Sequence, residues 1–331
     1  MIRAGKLSID DYVGGVLAGD RALLARAITL IESNSPAHQE MAQEVLGKLQ
    51  QQTRPESVRV GITGPPGVGK STFIEAFGCY LCKEGRRVAV LAIDPSSSLS
   101  RGSILGDKTR MERLSQEPNC YIRPSPSGGT LGGVARKSRE TIALCEAFGF
   151  DTILVETVGV GQSETTVRSM VDFFLVMLLT GAGDELQGIK KGIIELADAL
   201  LVTKADGENA IRAEALRIEL VRLLHFLTPA TPGWHPQAMT CSAVHEKGID
   251  VVWQNILAYC ETTRNNGFFE THRRRQAVEW LHSLLNEHLE AIFYRDPRVA
   301  GAAKEIERQV ADGTLPVATA VKQLFEKWSA R

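Results

Sequence analysis

Short apolar runs alternate with helix-length segments through the middle of the chain. The runs are rich in Val, Ile, Leu and Phe at consecutive positions, which is typical of parallel strands buried on both faces. Six of them predict strands at 58–63, 87–93, 152–155, 173–179, 199–203 and 238–241. The pattern therefore predicts an α/β fold with a mostly parallel central sheet that helices cover.

Helical periodicity replaces this alternation at both ends of the chain. Apolar residues recur at helical spacing in 17–31 and 40–52, before Pro55 interrupts the pattern. Near the other end, a wide apolar stripe at intervals of three and four runs through 277–293. Such a stripe needs a surface to cover it.

These changes of pattern divide the chain into three parts. We expect an N-terminal helical extension over 1–55, a nucleotide-binding domain over 56–261 and a C-terminal helical arm over 262–331. The arm either packs within the chain or mediates dimerisation. Its length beyond the last predicted strand favours a homodimer.

Composition and charge exclude several classes of function. A net charge of −1 over 331 residues creates no general attraction to nucleic acid or to an anionic membrane, and we interpret the basic triplet 273–275 as a solvated helix face. The longest apolar run, seven residues at 173–179, is far shorter than the ~20 residues of a membrane-spanning helix. The N-terminus has no secretory pattern, and the six scattered cysteines suit a reducing compartment. We therefore expect a cytoplasmic protein that binds neither nucleic acid nor membrane.

The strongest chemical signal lies between the first predicted strand and a predicted helix. Positions 64–71 read Gly-Pro-Pro-Gly-Val-Gly-Lys-Ser, a phosphate-binding loop. Its glycines let backbone N–H groups approach phosphate oxygens, Lys70 reaches the β and γ phosphates, and the Ser71 hydroxyl can bind Mg²⁺. The expected nucleotide contacts are Gly64, Pro65, Pro66, Gly67, Val68, Gly69, Lys70, Ser71 and Thr72. The chain is therefore predicted to be a P-loop nucleoside triphosphatase.

Acidic residues follow the second predicted strand and end the third. Asp94 opens a long polar, Gly-rich connection, and Glu156 opens a Glu-x-x-Gly at the place of the Asp-x-x-Gly that senses the γ-phosphate in GTPases. Either carboxylate can hold Mg²⁺ or position water, and Gly159 can donate a backbone N–H. The alternatives are a turn-forming Asp-Pro at Asp94 and a structural role for Glu156.

A guanine-reading pattern follows a later strand. G proteins carry Asn-Lys-x-Asp there, and this chain has Thr203-Lys-Ala-Asp206. The Asp206 carboxylate can accept hydrogen bonds from the guanine N1–H and amino group, and the stem of Lys204 can pack over the base. Adenine would present an acceptor to the same carboxylate. Thr203 in place of Asn weakens a supporting hydrogen bond, while Ser242 and Ala243 match the segment whose backbone supports the base.

Longer segments give a more specific resemblance. Gly64-Pro-Pro-Gly-Val-Gly-Lys-Ser-Thr, Ala92-Ile-Asp-Pro-Ser-Ser-Ser, Gly129-Thr-Leu-Gly-Gly, Glu156-Thr-Val-Gly-Val-Gly-Gln-Ser-Glu and Gly183-Asp-Glu-Leu-Gln-Gly-Ile-Lys-Lys-Gly resemble the MeaB/ArgK family. These G-protein chaperones serve adenosylcobalamin-dependent methylmalonyl-CoA mutase, and one bacterial member was formerly described as an arginine/ornithine transport kinase. The resemblance runs through essentially the whole chain.

The resemblance implies a fold, ligands and residue roles. The fold is that of the signal-recognition and metallocentre-maturation GTPases, which commonly work as dimers; the ligands are GTP or GDP with Mg²⁺, and the partner is the mutase. The catalytic residues it implies are Lys70, Asp94 and Glu156, the metal-site residues are Ser71, Asp94, Asp107 and Glu156, and the switch residues that convey nucleotide state to the mutase are Gln162, Gln187, Lys190 and Lys191.

Two alternatives stay open at this stage. One is a P-loop kinase that phosphorylates a small molecule or a transport protein, although such an enzyme has no use for a guanine-reading carboxylate at Asp206. The other is a nucleotide-gated scaffold with negligible turnover. Loss of hydrolysis with retained partner binding, on substitution of Lys70, separates a GTPase from the scaffold.

Overall fold

The protein is described from a computed structural model, which covers residues 7–52, 56–93, 111–123, 131–157, 163–181 and 191–329. In these ranges the helices are α1 (Ile9–Leu17), α2 (Arg21–Glu32), α3 (Pro36–Gln50), α4 (Lys70–Lys83), α5 (Glu112–Ser115), α6 (Leu131–Phe148), α7 (Ser163–Arg168), α8 (Lys191–Glu195), α9 (Asn209–His225), α10 (Ile249–Asn265), α11 (Phe268–Arg295), α12 (Pro297–Ala311) and α13 (Val317–Ser329). The strands are β1 (Val58–Thr63), β2 (Val88–Ile93), β3 (Cys120–Arg123), β4 (Thr152–Thr157), β5 (Phe173–Leu178), β6 (Ala199–Val202) and β7 (Gln237–Thr240).

All the strands of the described ranges form one parallel sheet in the order β3-β2-β4-β1-β5-β6-β7. This confirms the predicted α/β fold with its mostly parallel sheet. Strand β1 lies between β4 and β5, at the centre of the sheet. The loop after β1 therefore lies at the middle of the edge that the carboxyl ends of the strands form. Ligands bind at that edge in open α/β sheets.

The prediction of six strands was wrong, because β3 is a seventh. It has four residues, pairs only with β2, and three of its four residues are half-buried. A short, partly polar edge strand lacks the continuous apolar run of the central strands. The Arg21 side chain donates hydrogen bonds to the backbone oxygens of Pro118 (2.7 Å) and Cys120 (2.5 Å), which covers part of the exposed edge.

Two apolar clusters fill the two faces of the sheet. On one face α4 and α10 cover side chains such as Ile62 and Leu175, and on the other α6 and α9 cover side chains such as Val155 and Val176. The helices α2 and α3 pack outside α6 and add buried residues, including Leu24 and Leu49, to the second cluster. The N-terminal helices are therefore a further layer on the sheet.

Buried ion pairs connect the amino-terminal edge of the sheet to neighbouring helices. Arg59 and Arg273 both contact Glu146, at 2.7 Å and 3.7 Å, and Arg273 also contacts Asp172 at 2.6 Å. The interpretation of triplet 273–275 as a solvated face was therefore wrong for Arg273. Its partners lie more than 100 residues away in sequence, so local charge patterning does not reveal them.

The chain divides into two compact units, Met1–Arg273 and Arg274–Arg331. The first contains the sheet and the N-terminal helices. In the second, the Phe293 ring lies 5.0 Å from Phe325 and 5.8 Å from Trp328, between ring centroids. The predicted limits at 55 and 261 stay predictions. Among the described residues, no helix combines the length and apolarity needed to span a bilayer.

Candidate nucleotide site

The loop between β1 and α4 has a backbone that glycine makes possible. Gly67 and Gly69 have φ of 78° and 94°, in the left-handed region that side chains disfavour. At Gly64, φ is 154° and a Cβ atom would lie 2.6 Å from the Met177 carbonyl oxygen. The Val68 side chain is fully buried and fixes the loop to the core. The backbone is thus shaped for close approach by a ligand.

Lys70, the first residue of α4, crosses this loop. Its Nζ donates to the carbonyl oxygens of Gly64 (2.7 Å) and Pro65 (3.2 Å), and the side chain is 9% exposed. Burial lowers the pKa of Lys70, while the carboxylates of Glu156 and Glu164 act in the opposite direction. The ammonium group is held where phosphate oxygens can replace the two carbonyl groups as its partners.

A hydroxyl and a carboxylate meet beside Lys70. Ser71 Oγ donates to Glu156 Oε1 at 3.2 Å, and Glu156 is half-buried near the end of β4. The next residue, Thr157, donates from its hydroxyl to that of Thr63 at 2.8 Å, which joins the ends of β4 and β1. Two hard oxygen donors are therefore close together on rigid elements, a pairing that suits Mg²⁺.

Several predicted residues cannot be placed. Those outside the described residues are Asp94, Asp107, Gly159, Gln162, Gln187 and Lys190. Lys191 begins α8, and its role stays a prediction. Among the described residues, no three side chains of the His, Cys, Asp and Glu types cluster as a metal site. Of the four predicted metal-site residues, Ser71 and Glu156 lie within the described ranges.

Thr203 directly follows β6 and reaches the phosphate-binding loop. Its hydroxyl donates to the Val68 carbonyl oxygen at 2.7 Å and lies 3.3 Å from that of Leu178. Thr203 is 4% exposed, so this hydrogen bond is shielded from water. Thr203 thus makes a supporting hydrogen bond to the loop, while the expectation that it supports the site less well than Asn stays a prediction.

The residues after Thr203 are held by neighbouring segments. Asp206 Oδ2 accepts a hydrogen bond of 2.5 Å from the hydroxyl of Ser242, which is 1% exposed, and Ala205 N donates to Cys241 O at 2.9 Å. The segments after β6 and β7 are thereby joined. The hydrogen bond from Ser242 engages one oxygen of the Asp206 carboxylate, so the other is the one that we expect to accept a bond from a base.

Lys204 has an unusual backbone that a neighbour supports. Its φ is 54°, and its carbonyl oxygen accepts a hydrogen bond of 2.7 Å from Asn209 Nδ2. Thr180 in turn donates to Asn209 Oδ1 at 2.5 Å. A positive φ at a residue other than glycine costs free energy and persists where its surroundings hold it, often at a functional site.

Sequence reasoning missed two residues of this site. The Glu164 carboxylate, on α7, is 5% exposed and acts to raise the pKa of Lys70. The other residue is Asn209, whose side chain donates to the Lys204 carbonyl oxygen and stabilises the backbone there. The motifs contain a signal for the first, since Glu164 ends the Glu156 segment. For Asn209 the only local signal is an amide side chain at the start of a helix, which is common at caps.

The site as a whole lies at one edge of the sheet. The phosphate-binding loop follows β1, Glu156 lies near the end of β4, and the segments with Asp206 and Ser242 follow β6 and β7. The Thr203–Val68 hydrogen bond connects the phosphate-binding loop to the segment that follows β6. This arrangement can bind a nucleoside triphosphate with its phosphates over α4 and its base beside Asp206.

Comparisons with known proteins show similarity to GTPases over most of the chain. A family described as "Methylmalonyl Co-A mutase-associated GTPase MeaB" matches residues 24–297. A putative GTPase of Caulobacter vibrioides is 52% identical over 319 residues, which are 96% of this chain and 97% of the relative. GTPase ArgK of Escherichia coli is 42% identical and covers 93% of each chain. The mitochondrial methylmalonic aciduria type A homolog of Mus musculus is 43% identical, over 98% of this chain and 80% of its own length.

A solved structure extends the similarity to three dimensions. The crystal structure of an LAO/AO transport system kinase superposes with a TM-score of 0.77 at 36% identity, over 96% of each chain. The similarity includes both ends of the chain as well as the sheet.

Proposed function

Because this chain belongs to the MeaB family of methylmalonyl-CoA mutase-associated GTPases, we propose that its GTP hydrolysis gates the delivery of adenosylcobalamin to a mutase and protects that enzyme. The family description supports the link to a mutase, and the Thr203–Val68 hydrogen bond supports a coupled nucleotide site. It joins the base-reading segment to the phosphate-binding loop, so a change at the phosphates can reach the rest of the site through rigid contacts.

Each described residue has a role in this proposal. Lys70 binds the β and γ phosphates and stabilises the charge that develops as water attacks the γ-phosphate. Asp206 reads guanine, with Ser242 fixing its carboxylate and Lys204 packing over the base. Glu164 adds negative charge near Lys70 and so helps to keep the buried amine protonated.

Mg²⁺ fits the oxygen donors at Ser71 and Glu156. A magnesium ion is usually held by one or two protein oxygens together with phosphates and water. Ser71 Oγ and Glu156 Oε1 are 3.2 Å apart, which is close enough for both to contact one ion. Bound there with GTP, the ion would neutralise phosphate charge. We propose Asp94 and Asp107 as further acidic residues of this region and Gly159 as a backbone donor to the γ-phosphate.

Intrinsic hydrolysis should be slow and depend on the partner. Val160 stands directly after Gly159, where many GTPases carry a Gln that orients water. We propose that the mutase orders the segments with Gln162, Gln187, Lys190 and Lys191 and thereby accelerates hydrolysis. The family description and the names of the Caulobacter vibrioides and Escherichia coli relatives support GTP hydrolysis, whereas the solved structure that superposes carries the name of a kinase.

The test is the rate of GTP hydrolysis with and without a methylmalonyl-CoA mutase from the same source. We expect the mutase to raise the rate several-fold for the natural chain and to leave Lys70→Ala inactive while that variant still binds the mutase. The matched control is Lys48→Ala, an exposed lysine on α3 that pairs with Asp10. An unchanged rate on adding the mutase would remove the support for gating.

A second part of the proposal is a homodimer through α11. Val278, Leu281, Leu285, Leu289 and Ile292 recur at helical spacing and are 46–62% exposed. Five large apolar side chains on one face of one helix are more than isolated surface residues, and such a stripe is typical of an interface. We propose that the same face of a second copy covers it.

A further inference from the structure

A cleft of about 500 Å³ lies between the N-terminal helices and α6, apart from the nucleotide site. Its walls come from α1, α2, the turn before α3, α3 itself and α6, and include Tyr12, Arg26, Asn34, His38 and Lys137. None of these residues belongs to the phosphate-binding loop or to the base-reading segments. The volume is that of a small-molecule site.

Lys137 lies at the base of the cleft. Its side chain is 6% exposed, and its Nζ donates to Asn34 Oδ1 at 2.8 Å. In the part of the chain that the structure describes, no carboxylate oxygen lies within 4 Å of this amine, although a lysine is rarely buried without an ionic partner. Burial lowers the pKa of Lys137, as expected for a cation with a neutral partner.

The acidic residue that lines the cleft, Glu32, is already paired with Arg123. Glu32 accepts two hydrogen bonds from the Arg123 guanidinium, one at 3.1 Å from Nε and a second from a terminal nitrogen. A paired carboxylate of this kind contributes little net charge. Arg26 and Lys137 therefore give the cleft a net positive charge, and an anion would supply the missing partner of the buried amine.

We propose that this cleft binds a small organic phosphate, with its phosphate group between Lys137 and Arg26. Lysine binds phosphate as a compact charge, and arginine offers a planar set of donors. Asn34 and His38 add polar groups to the lining, and Tyr12 provides a partly apolar wall for the organic part. The volume exceeds that of inorganic phosphate alone.

Lys137 and Glu32 also line a second, smaller cavity beside the sheet. The other residues that line this smaller cavity include Leu91, Ala92 and Arg123. Leu91 and Ala92 belong to β2, which ends one residue before Asp94. Lys137 therefore lies between the cleft and the strand that leads to the predicted metal region.

The test is calorimetric titration of the full chain with glycerol 3-phosphate, with inorganic phosphate and succinate as separate arms. Saturating GDP and Mg²⁺ keep the probes out of the nucleotide site. We expect glycerol 3-phosphate to bind with a Kd of about 1 mM or tighter, inorganic phosphate more weakly, and succinate more weakly still. Lys137→Gln and Arg26→Gln should each weaken binding about ten-fold, and Lys48→Gln should leave it unchanged.

Two results would overturn the proposal. One is the absence of saturable binding of any phosphate probe by the natural chain; if Lys137→Gln then weakened the complex with the mutase, the cleft would instead be a protein contact. The other is binding that survives both cleft variants. Since Arg26 is exposed, its variant is expected to fold even where Lys137→Gln does not.

Discussion

At the scale of single residues, motif chemistry predicts the phosphate-binding loop, and it does not predict the tertiary contacts that hold this loop. The sequence 64–71 is sufficient to predict the phosphate-binding loop, because its spacing and residue types have a direct physical role. The partner of the Thr203 hydroxyl, Val68 O, lies 135 residues earlier in the chain. Only the folded sheet brings β6 and the loop after β1 together, so no local pattern contains this contact.

Thr203→Val tests that contact. Valine keeps the branched shape and removes the hydroxyl, which leaves the buried Val68 carbonyl oxygen without this donor. We expect the free energy of unfolding to fall by about 1–3 kcal/mol and the affinity for GDP to fall about ten-fold, measured by urea unfolding and nucleotide competition. Thr203→Ser keeps the donor and should retain most of both properties. Equal losses in the two variants would show that packing, and not the hydrogen bond, is responsible.

At the scale of elements, sequence patterning predicted the central strands and the helical ends. It missed β3 because an edge strand of four residues has no continuous apolar run. It also misread Arg273, whose partner Asp172 is 101 residues away. Periodicity describes the two faces of an element, and it says little about ion pairs that form between elements.

Glu146 on α6 makes the ion pairs at the amino-terminal edge of the sheet sensitive to acid. Burial alone would raise its pKa, but Arg59 and Arg273 and the hydrogen bonds from Arg59 and Ser57 lower it from 4.5 to about 2. A carboxyl group with a lowered pKa stabilises the fold above pH 4.5, and this stabilisation is lost as the pH falls towards 2.

Glu146→Gln should remove that pH dependence. Between pH 6 and pH 3, the free energy of unfolding of the natural chain should fall by about 2 kcal/mol more than that of the variant. Urea unfolding at the two pH values measures the difference, and Glu44→Gln, at an exposed position on α3, is the control that should behave as the natural chain does. Parallel acid losses in Glu146→Gln and the natural chain would contradict the role of these ion pairs.

At the scale of the whole molecule, the family and the fold follow from the sequence, and assembly does not. The apolar stripe of α11 is visible as a pattern, but a pattern cannot say whether a stripe is covered within the chain. The exposure of Leu281 (62%) and Leu285 (50%) supports the homodimer. The partner copy and the mutase both remain proposals.

Leu285→Glu should disrupt the proposed homodimer. A charge at the centre of the stripe would have to be buried without a partner, which is strongly unfavourable. Sedimentation of the natural chain at micromolar concentration should show a dimer, and that of Leu285→Glu a monomer with unchanged GDP binding. Ser283→Glu adds the same charge on the other side of α11 and should remain dimeric. A monomeric natural chain would refute this assembly.

The central claim is that Asp206 reads guanine in a site closed by Thr203 and Ser242. Its most direct test is competition between GDP and xanthosine diphosphate in Asp206→Asn. Asparagine can still accept the Ser242 hydrogen bond, and its amide N–H can face the 2-carbonyl of xanthine. We predict that the natural chain prefers GDP and that Asp206→Asn loses about 100-fold in GDP affinity while gaining affinity for xanthosine diphosphate. If the variant kept the preference for GDP, Asp206 would not be the residue that reads the base.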